Sequence, residues 1–236
     1  ELPFNRAQRA WVARASKSLD STLAFGSTKP LNRPGDIFFL NSAYPPTKPE
    51  IDAHCQAPVI FGEGHVAHPF TTHAFFNISA MSYGALSGPA ISALSAGAQQ
   101  SGIWLNTGEG GLAPFHQAAA CDLVFQIGTA KYGVRDEAGN LDSHKVAELA
   151  AIPEVRMFEI KLSQGAKPGK GGILPGEKVT ALIASTRGIS QGHDSISPNR
   201  HPEVTDAGSL LDLIERVRSA SGKPTGIKFV MGQTEW

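Results

Sequence analysis

The sequence predicts an α/β fold of the (β/α)8 TIM-barrel type, truncated after about five β/α units and preceded by an N-terminal helix and an irregular wrap. Three observations predict it. From Phe75 onward, short apolar segments alternate with helix-like stretches, the pattern of parallel strands joined by crossover helices. No Gly-x-Gly-x-x-Gly follows the first of these segments, which argues against an open dinucleotide-binding sheet. Polar and charged residues also stand at the ends of several successive strand candidates, where barrels build their sites.

The elements follow in chain order. Phe4, Ala7, Ala10, Trp11, Ala15 and Leu19 recur at helical spacing among Arg and Lys, so residues 4–18 read as an amphipathic helix. Gly26 to His73 is rich in Pro, Gly and Asn, with short apolar runs at Asp36–Leu40 and Pro58–Phe61; it reads as loops and short strands wrapped around the next unit. Residues 1–72 are therefore taken as helix and wrap, and residues 73–236 as a partial barrel. The strand candidates are Phe75–Ser82, Ile103–Glu109, Leu123–Gly128, Met157–Leu162 and Thr225–Val230, with helix candidates over 88–101, 143–150, 176–186 and 206–220. A closed barrel needs eight strands. Three more units are expected beyond Trp236; otherwise the sheet keeps an open edge that invites association with another copy or with the missing half.

Composition narrows the function. Twenty-one basic residues balance twenty-one acidic ones, so no net field draws the protein to nucleic acid or an anionic membrane. The two cysteines, Cys55 and Cys121, are far apart and offer neither a disulfide framework nor a Cys-x-x-Cys site, which fits a reducing, cytoplasmic setting. No stretch approaches the roughly 18 to 20 apolar residues of a membrane span, and Glu1 to Asn5 does not open a signal peptide. The missing initiator Met is read as a start inside a longer product, upstream of which a membrane tether would be invisible.

Four motifs carry chemistry. Ser79-Ala-Met-Ser-Tyr-Gly-Ala-Leu-Ser87 joins a strand to a helix through small residues that admit a flat ligand to the backbone, or else is an ordinary βα turn. In Asn106-Thr-Gly-Glu-Gly-Gly111 glycines surround Glu109, which suits a proton donor or acceptor; the bland alternative is a solvated loop acid. Lys161 sits inside an apolar strand, where an unpaired ammonium is costly, so it is expected to meet an anion or a polar cavity. The glycine- and lysine-rich run that follows is not a Walker A loop, because Gly169-Lys170 is followed by Gly and no Gly lies five residues before Gly169. Arg187 ends a short helix and offers the planar fork that grips a carboxylate, against the alternative of a surface salt bridge. Lys228 repeats the in-strand lysine. His65 with His68 and His193 with His201 lack a ligand frame for a metal, and no Gly-x-Ser-x-Gly elbow supports Ser-His-Asp catalysis.

Together, Ser79–Ser87, Asn106–Gly111, Gln126 with Lys131-Tyr-Gly-Val134, and the run from Lys161 to Gly176 resemble the FMN- and 2-oxoglutarate-binding domain of glutamate synthases in order and spacing. The likeness covers about residues 73–230; residues 1–72 resemble, more loosely, the front of the stand-alone members. The resemblance implies an FMN-dependent oxidoreductase in which reduced flavin gives hydride to 2-iminoglutarate, formed from 2-oxoglutarate and ammonia, to yield L-glutamate. It implies that Met81, Ser82 and Gln126 touch the flavin ring and that Lys228 lies near its N1 and O2 edge. There a cation stabilises the anionic reduced form. It implies that Gly108, Glu109, Lys161 and Arg187 line the 2-oxoglutarate side, with Lys161 and Arg187 neutralising carboxylates and Glu109 helping to protonate the imine.

Some family features have no counterpart here. Two isolated cysteines cannot hold an iron-sulfur cluster, the chain begins with Glu1 where a glutaminase domain begins with Cys, and the later strands expected to bind the FMN phosphate are absent. The electron donor is not readable. Two alternatives follow: a related FMN barrel acting on another 2-oxo acid, amine or alcohol, and a non-catalytic remnant that binds a partner.

Overall fold

The structure, a computed structural model, describes residues 4–17, 35, 43–47, 49–50, 58–165 and 169–230. The chain divides into two compact units, Glu1–Thr47 and Lys48–Trp236. In the first, α1 (Arg6–Ala15) is the expected N-terminal helix. Its start is fixed by a capping box in which Asn5 Oδ1 accepts the Gln8 N–H and Gln8 Oε1 accepts the Asn5 N–H, both at 2.9 Å. None of its residues is buried within that unit. The strand-like run Asp36–Leu40 lies outside the described residues.

The second unit is built on a parallel sheet. An antiparallel hairpin, β1 (Val59–Phe61) with β2 (Phe70–Thr72), comes first. The sheet then runs β3 (Leu105–Asn106), β4 (Leu123–Ile127), β5 (Val155–Lys161) and, after a further hairpin of β6 (Ile173–Leu174) and β7 (Ser195–Ile196), β8 (Thr225–Lys228). Its order is β3-β4-β5-β8, every neighbour parallel. Ile78 extends it on the β3 side by a single parallel bridge to Leu105. Strands laid down in chain order without reversal have no switch point of the doubly wound kind. The order is compatible with an arc of a β/α barrel, and the described sheet does not close.

Helices α2 (Gly88–Ser101), α3 (Ser143–Ala150), α4 (Ala181–Arg187) and α5 (Ala207–Ser221) fill the crossovers. Each starts on a side chain that accepts a backbone N–H: Ser87, Asp142, Thr180 and Asp206. Strand alternation then separates two faces. Leu105, Leu123, Phe125, Ile127, Phe158 and Ile160 are fully buried and pack with Ile91 of α2, Val146 of α3, and Leu213 and Val217 of α5. The residues between them, Asn106, Gln126, Glu159 and Lys161, belong to the opposite face, so the apolar core lies on the helix side and the polar side chains share the other.

The β1–β2 hairpin stacks Phe61 and Phe70 against Trp104, and Arg156 lies 5.2 Å above the Phe70 ring. Trp104 and Arg156 stand at the starts of β3 and β5, so the hairpin covers the N-terminal end of the sheet and leaves the C-terminal strand ends for other use. Among the described residues no helix is long and apolar enough to cross a membrane.

Four expectations need correction. The strand candidate Phe75–Ser82 is reduced to the Ile78 bridge, because Asn77 Oδ1 accepts the Trp104 N–H (3.0 Å) in place of a ladder bond. Ile103–Glu109 shrinks to Leu105–Asn106, since the chain turns at Gly108. The 176–186 helix is split into a 3-10 turn, Gly176–Lys178, and α4, with Thr180 restarting the helix as its N-cap. The β6–β7 hairpin was not anticipated.

Candidate functional site at the C-terminal strand ends

Glu109 follows β3 in the glycine-rich turn, and Lys161 is the last residue of β5. Lys161 Nζ lies 3.4 Å from Glu109 Oε2, and both side chains are about four-fifths withdrawn from solvent, at 18% and 20% exposure. Gln164 closes the pair into a ring: Lys161 Nζ donates to Gln164 Oε1 (2.9 Å), and Gln164 Nε2 donates to Glu109 Oε1. The in-strand lysine thus meets its anion, and Glu109 is not a solvated loop acid. Glu109 Oε2 is buried and, among the described residues, has no hydrogen-bond donor besides this ion pair. The carboxylate lies so close over Gly128 that a Cβ there would stand 2.7 Å from Oε2; any side chain at 128 would push Glu109 away from Lys161.

Arg187, the last residue of α4, is buried. Its Nη1 donates to Ser195 Oγ (2.9 Å), its Nη2 to the Tyr83 carbonyl (3.2 Å), and its guanidinium lies 5.1 Å over the Tyr132 ring. Ser195 Oγ in turn donates to Tyr132 Oη (2.7 Å). Arg187 Nε is buried without an acceptor, and no carboxylate among the described residues stands within ion-pair distance. The surface salt bridge is therefore overturned: this is a held, buried cation whose burial pulls its pKa below the ordinary value, partly offset by Tyr132 and by Glu109. Nη2 also lies against Gly110, next to Glu109 in sequence, which brings Arg187 to the edge of the ring.

Met81, Ser82 and Gly108 meet as two packed turns. The Met81 N–H donates to the Asn106 carbonyl (3.0 Å). Gly108 takes a left-handed φ of +67°, and a Cβ there would stand 2.7 Å from the Ser82 nitrogen. What Gly108 provides is this close approach of one turn to the other. Behind Met81 lies His116, fully buried. Its Nδ1 accepts the Ala113 N–H (3.1 Å), so Nε2 carries the proton and donates to the Met81 carbonyl (2.8 Å). Burial holds His116 below its ordinary pKa of 6.5.

Gln126 is buried in β4 and donates from Nε2 to Glu159 Oε1; its own Oε1 is buried with no donor among the described residues. Lys228 is the in-register neighbour of Lys161 and lines a cavity of ≈570 Å³ with Asn106, Glu159, Trp104 and Phe61. Glu109, Lys161 and Arg187 thus gather at one place, Met81, Ser82 and Gly108 adjoin it through Gly110, and Gln126 with Lys228 stand on the polar sheet face. Sequence reasoning missed Gln164, Tyr132, Ser195, Glu159 and His116. Glu159 left a signal two residues before Lys161 on the same face of one strand, and Tyr132 and Gln164 lie inside the motifs Lys131–Val134 and Lys161–Gly176.

Polar side chains thus collect at the C-terminal ends of sequential parallel strands, the end at which β/α folds build their sites. A family model described as the conserved region in glutamate synthase matches residues 45–235. The chain belongs to the glutamate synthase family. The glutamate synthase large subunit-like protein YerD of Bacillus subtilis is 32% identical over 271 aligned residues that take in 100% of this chain and 51% of its own length. The archaeal-type glutamate synthase [NADPH] of Thermotoga maritima is 38% identical over 64% of this chain and 27% of its own, and the archaeal glutamate synthase [NADPH] of Methanocaldococcus jannaschii 37% identical over 64% and 28%. The chain therefore spans about half, or less, of the relatives it matches.

Proposed function

We propose that the protein of which this chain is part is an FMN-dependent, glutamate synthase-like oxidoreductase that makes L-glutamate from 2-oxoglutarate and ammonia, on a (β/α)8 barrel of which the described sheet is an arc. The observation that carries the reading is the closed ring of Glu109, Lys161 and Gln164 beside the buried Arg187. A dicarboxylate with an electrophilic carbon between its acid groups asks for two cations and a proton-handling group, and this cluster has all three.

Bound FMN would supply the hydride for 2-iminoglutarate. The residues support that cofactor: Gln126 holds a buried carbonyl in need of a donor, Lys228 lines the adjoining cavity as a cation without an ion-pair partner among the described residues, and the Met81–Ser82 turn is seated on Gly108. Met81, Ser82, Gln126 and Lys228 are the residues that would hold it. Arg187, already oriented by Ser195 and Tyr83, grips one substrate carboxylate with its remaining N–H groups. Lys161 attracts the other while Glu109 keeps its ammonium in place. Gln164 orients the Glu109 carboxylate through Oε1, and Oε2, beside the Lys161 ammonium, helps relay a proton to the imine nitrogen.

The reading is tested on the whole natural protein. Glu109→Gln is expected to lower kcat on the order of a hundredfold while changing the KM for 2-oxoglutarate by only a few-fold, because it removes the proton-relaying carboxylate and not the cations. Equal kcat in the variant contradicts the role given to Glu109, and flavin reoxidation by another 2-oxo acid in preference to 2-oxoglutarate contradicts the substrate.

A further inference from the structure

Glu159 stands two residues before Lys161 on the same face of β5, and its Oε1 accepts two side-chain amides at once: Nδ2 of Asn106 (2.8 Å) and Nε2 of Gln126. An amide nitrogen only donates and an ionised carboxylate only accepts, so Glu159 decides which way both amides point. For Asn106 that choice is made a second time, since its Oδ1 accepts the Gly108 N–H (3.0 Å). For Gln126 the consequence is different. With Nε2 turned to Glu159, its Oε1 is left buried and without a donor. A buried carbonyl in that state is costly unless a bound molecule brings an N–H to it.

The geometry points to Glu159 as the positioning residue of the flavin face. It turns Gln126 so that Oε1 is offered to the imide N–H of the isoalloxazine ring, the N–H donor that ring carries when oxidised. It turns Asn106 so that Gly108 stays seated on Ser82. The inference rests on the flavin reading above and goes beyond it, by naming the atom of Gln126 that meets the ring and the residue that fixes it. Glu159 lines the same cavity as Lys228, so its charge also sits on the cofactor side of the sheet.

The test uses the whole natural protein, freed of flavin and titrated with FMN while the visible bands and the melting temperature are recorded. Wild type is compared with Glu159→Gln, Glu159→Asp, Gln126→Leu and the Glu159→Gln/Gln126→Leu double variant. A glutamine at 159 can donate from its own amide, so it releases Gln126 to turn over. FMN affinity is expected to fall on the order of tenfold, with a shift in the visible band. In the Gln126→Leu background the same change should cost little more, because Asn106 is held a second time by the Gly108 N–H and the effect of Glu159 on the ring runs through Gln126. Glu159→Asp keeps the charge with a shorter reach and is expected to lose less; it serves as the readout if Glu159→Gln does not fold. Wild-type affinity and band shape in Glu159→Gln, or in Glu159→Asp alone where the former is unfolded, overturns the inference, as do additive losses in the double variant. A wild-type protein that takes up no FMN overturns the flavin reading on which it rests.

Discussion

Three charged side chains do the chemistry proposed here, and each is held differently. Glu109 and Lys161 neutralise one another at 3.4 Å, so neither stands as an isolated charge in the site before a ligand enters. Arg187 instead has neutral partners, Ser195, the Tyr83 carbonyl and the Tyr132 ring, and keeps its positive charge uncompensated for an incoming carboxylate. A lysine cannot reproduce that fork. Arg187→Lys is therefore expected to raise the KM for 2-oxoglutarate on the order of tenfold or more while kcat changes less; steady-state kinetics showing unchanged KM would remove Arg187 from the substrate site. Lys161 was legible in the sequence because an ammonium inside Phe158-Glu-Ile-Lys161 must have a reason. Its partner ring was not, since nothing local says that Gln164 folds back across fifty-five residues of sequence separation to Glu109.

At the scale of elements, β4 and β5 carry the fold. Phe125 and Phe158 are fully buried side by side, with ring centres 5.8 Å apart. Phe158→Ala is expected to cost about 3 to 5 kcal/mol in denaturant unfolding, and a loss under about 1 kcal/mol would show that the sheet–helix core is not the main source of stability. Asp206 caps α5 by accepting the Ser209 N–H at 2.8 Å; Asp206→Ala should cost about 1 kcal/mol in the same assay. These elements were readable because helix and strand periods differ. The helices expected at 88–101 and 143–150 coincide with Gly88–Ser101 and Ser143–Ala150. What failed to show was the β6–β7 hairpin, whose pairing of Ile173 with Ile196 joins residues too far apart for any turn signal. The first two strands were overread because side chains and glycine turns, at Asn77 and Gly108, replace the ladder that apolar runs suggest.

Over the whole molecule, two buried imidazoles set the response to acid. Desolvation holds His116 and His201 below their ordinary pKa of 6.5 in the folded protein. His201 Nε2 donates to the Lys161 carbonyl at 2.9 Å, so it also anchors the end of β5. Below 6.5 the unfolded chain takes up protons that the folded one resists. Each histidine thus contributes stability that is present above that pH and lost as the pH falls, levelling off only beneath the depressed folded value. The melting midpoint is expected to drop between pH 7.5 and 5.5 with net proton uptake on unfolding; a flat or rising midpoint contradicts it. Among the described residues β8 has no neighbour on its outer edge, where Ile227 and Val230 are partly exposed, and this predicts a second whole-molecule property. The 236-residue chain by itself should self-associate in sedimentation, and a well-behaved monomer would contradict that.

In the proposed function Glu109, Lys161 and Arg187 serve a flavin-dependent synthesis of glutamate. The most direct measurement is to reduce the whole natural protein without oxygen, add 2-oxoglutarate and ammonia, and follow flavin absorption together with glutamate formed. Reoxidation is expected to need both compounds and to yield one glutamate per flavin. Reoxidation indifferent to 2-oxoglutarate, or a protein carrying no flavin to follow, would contradict it.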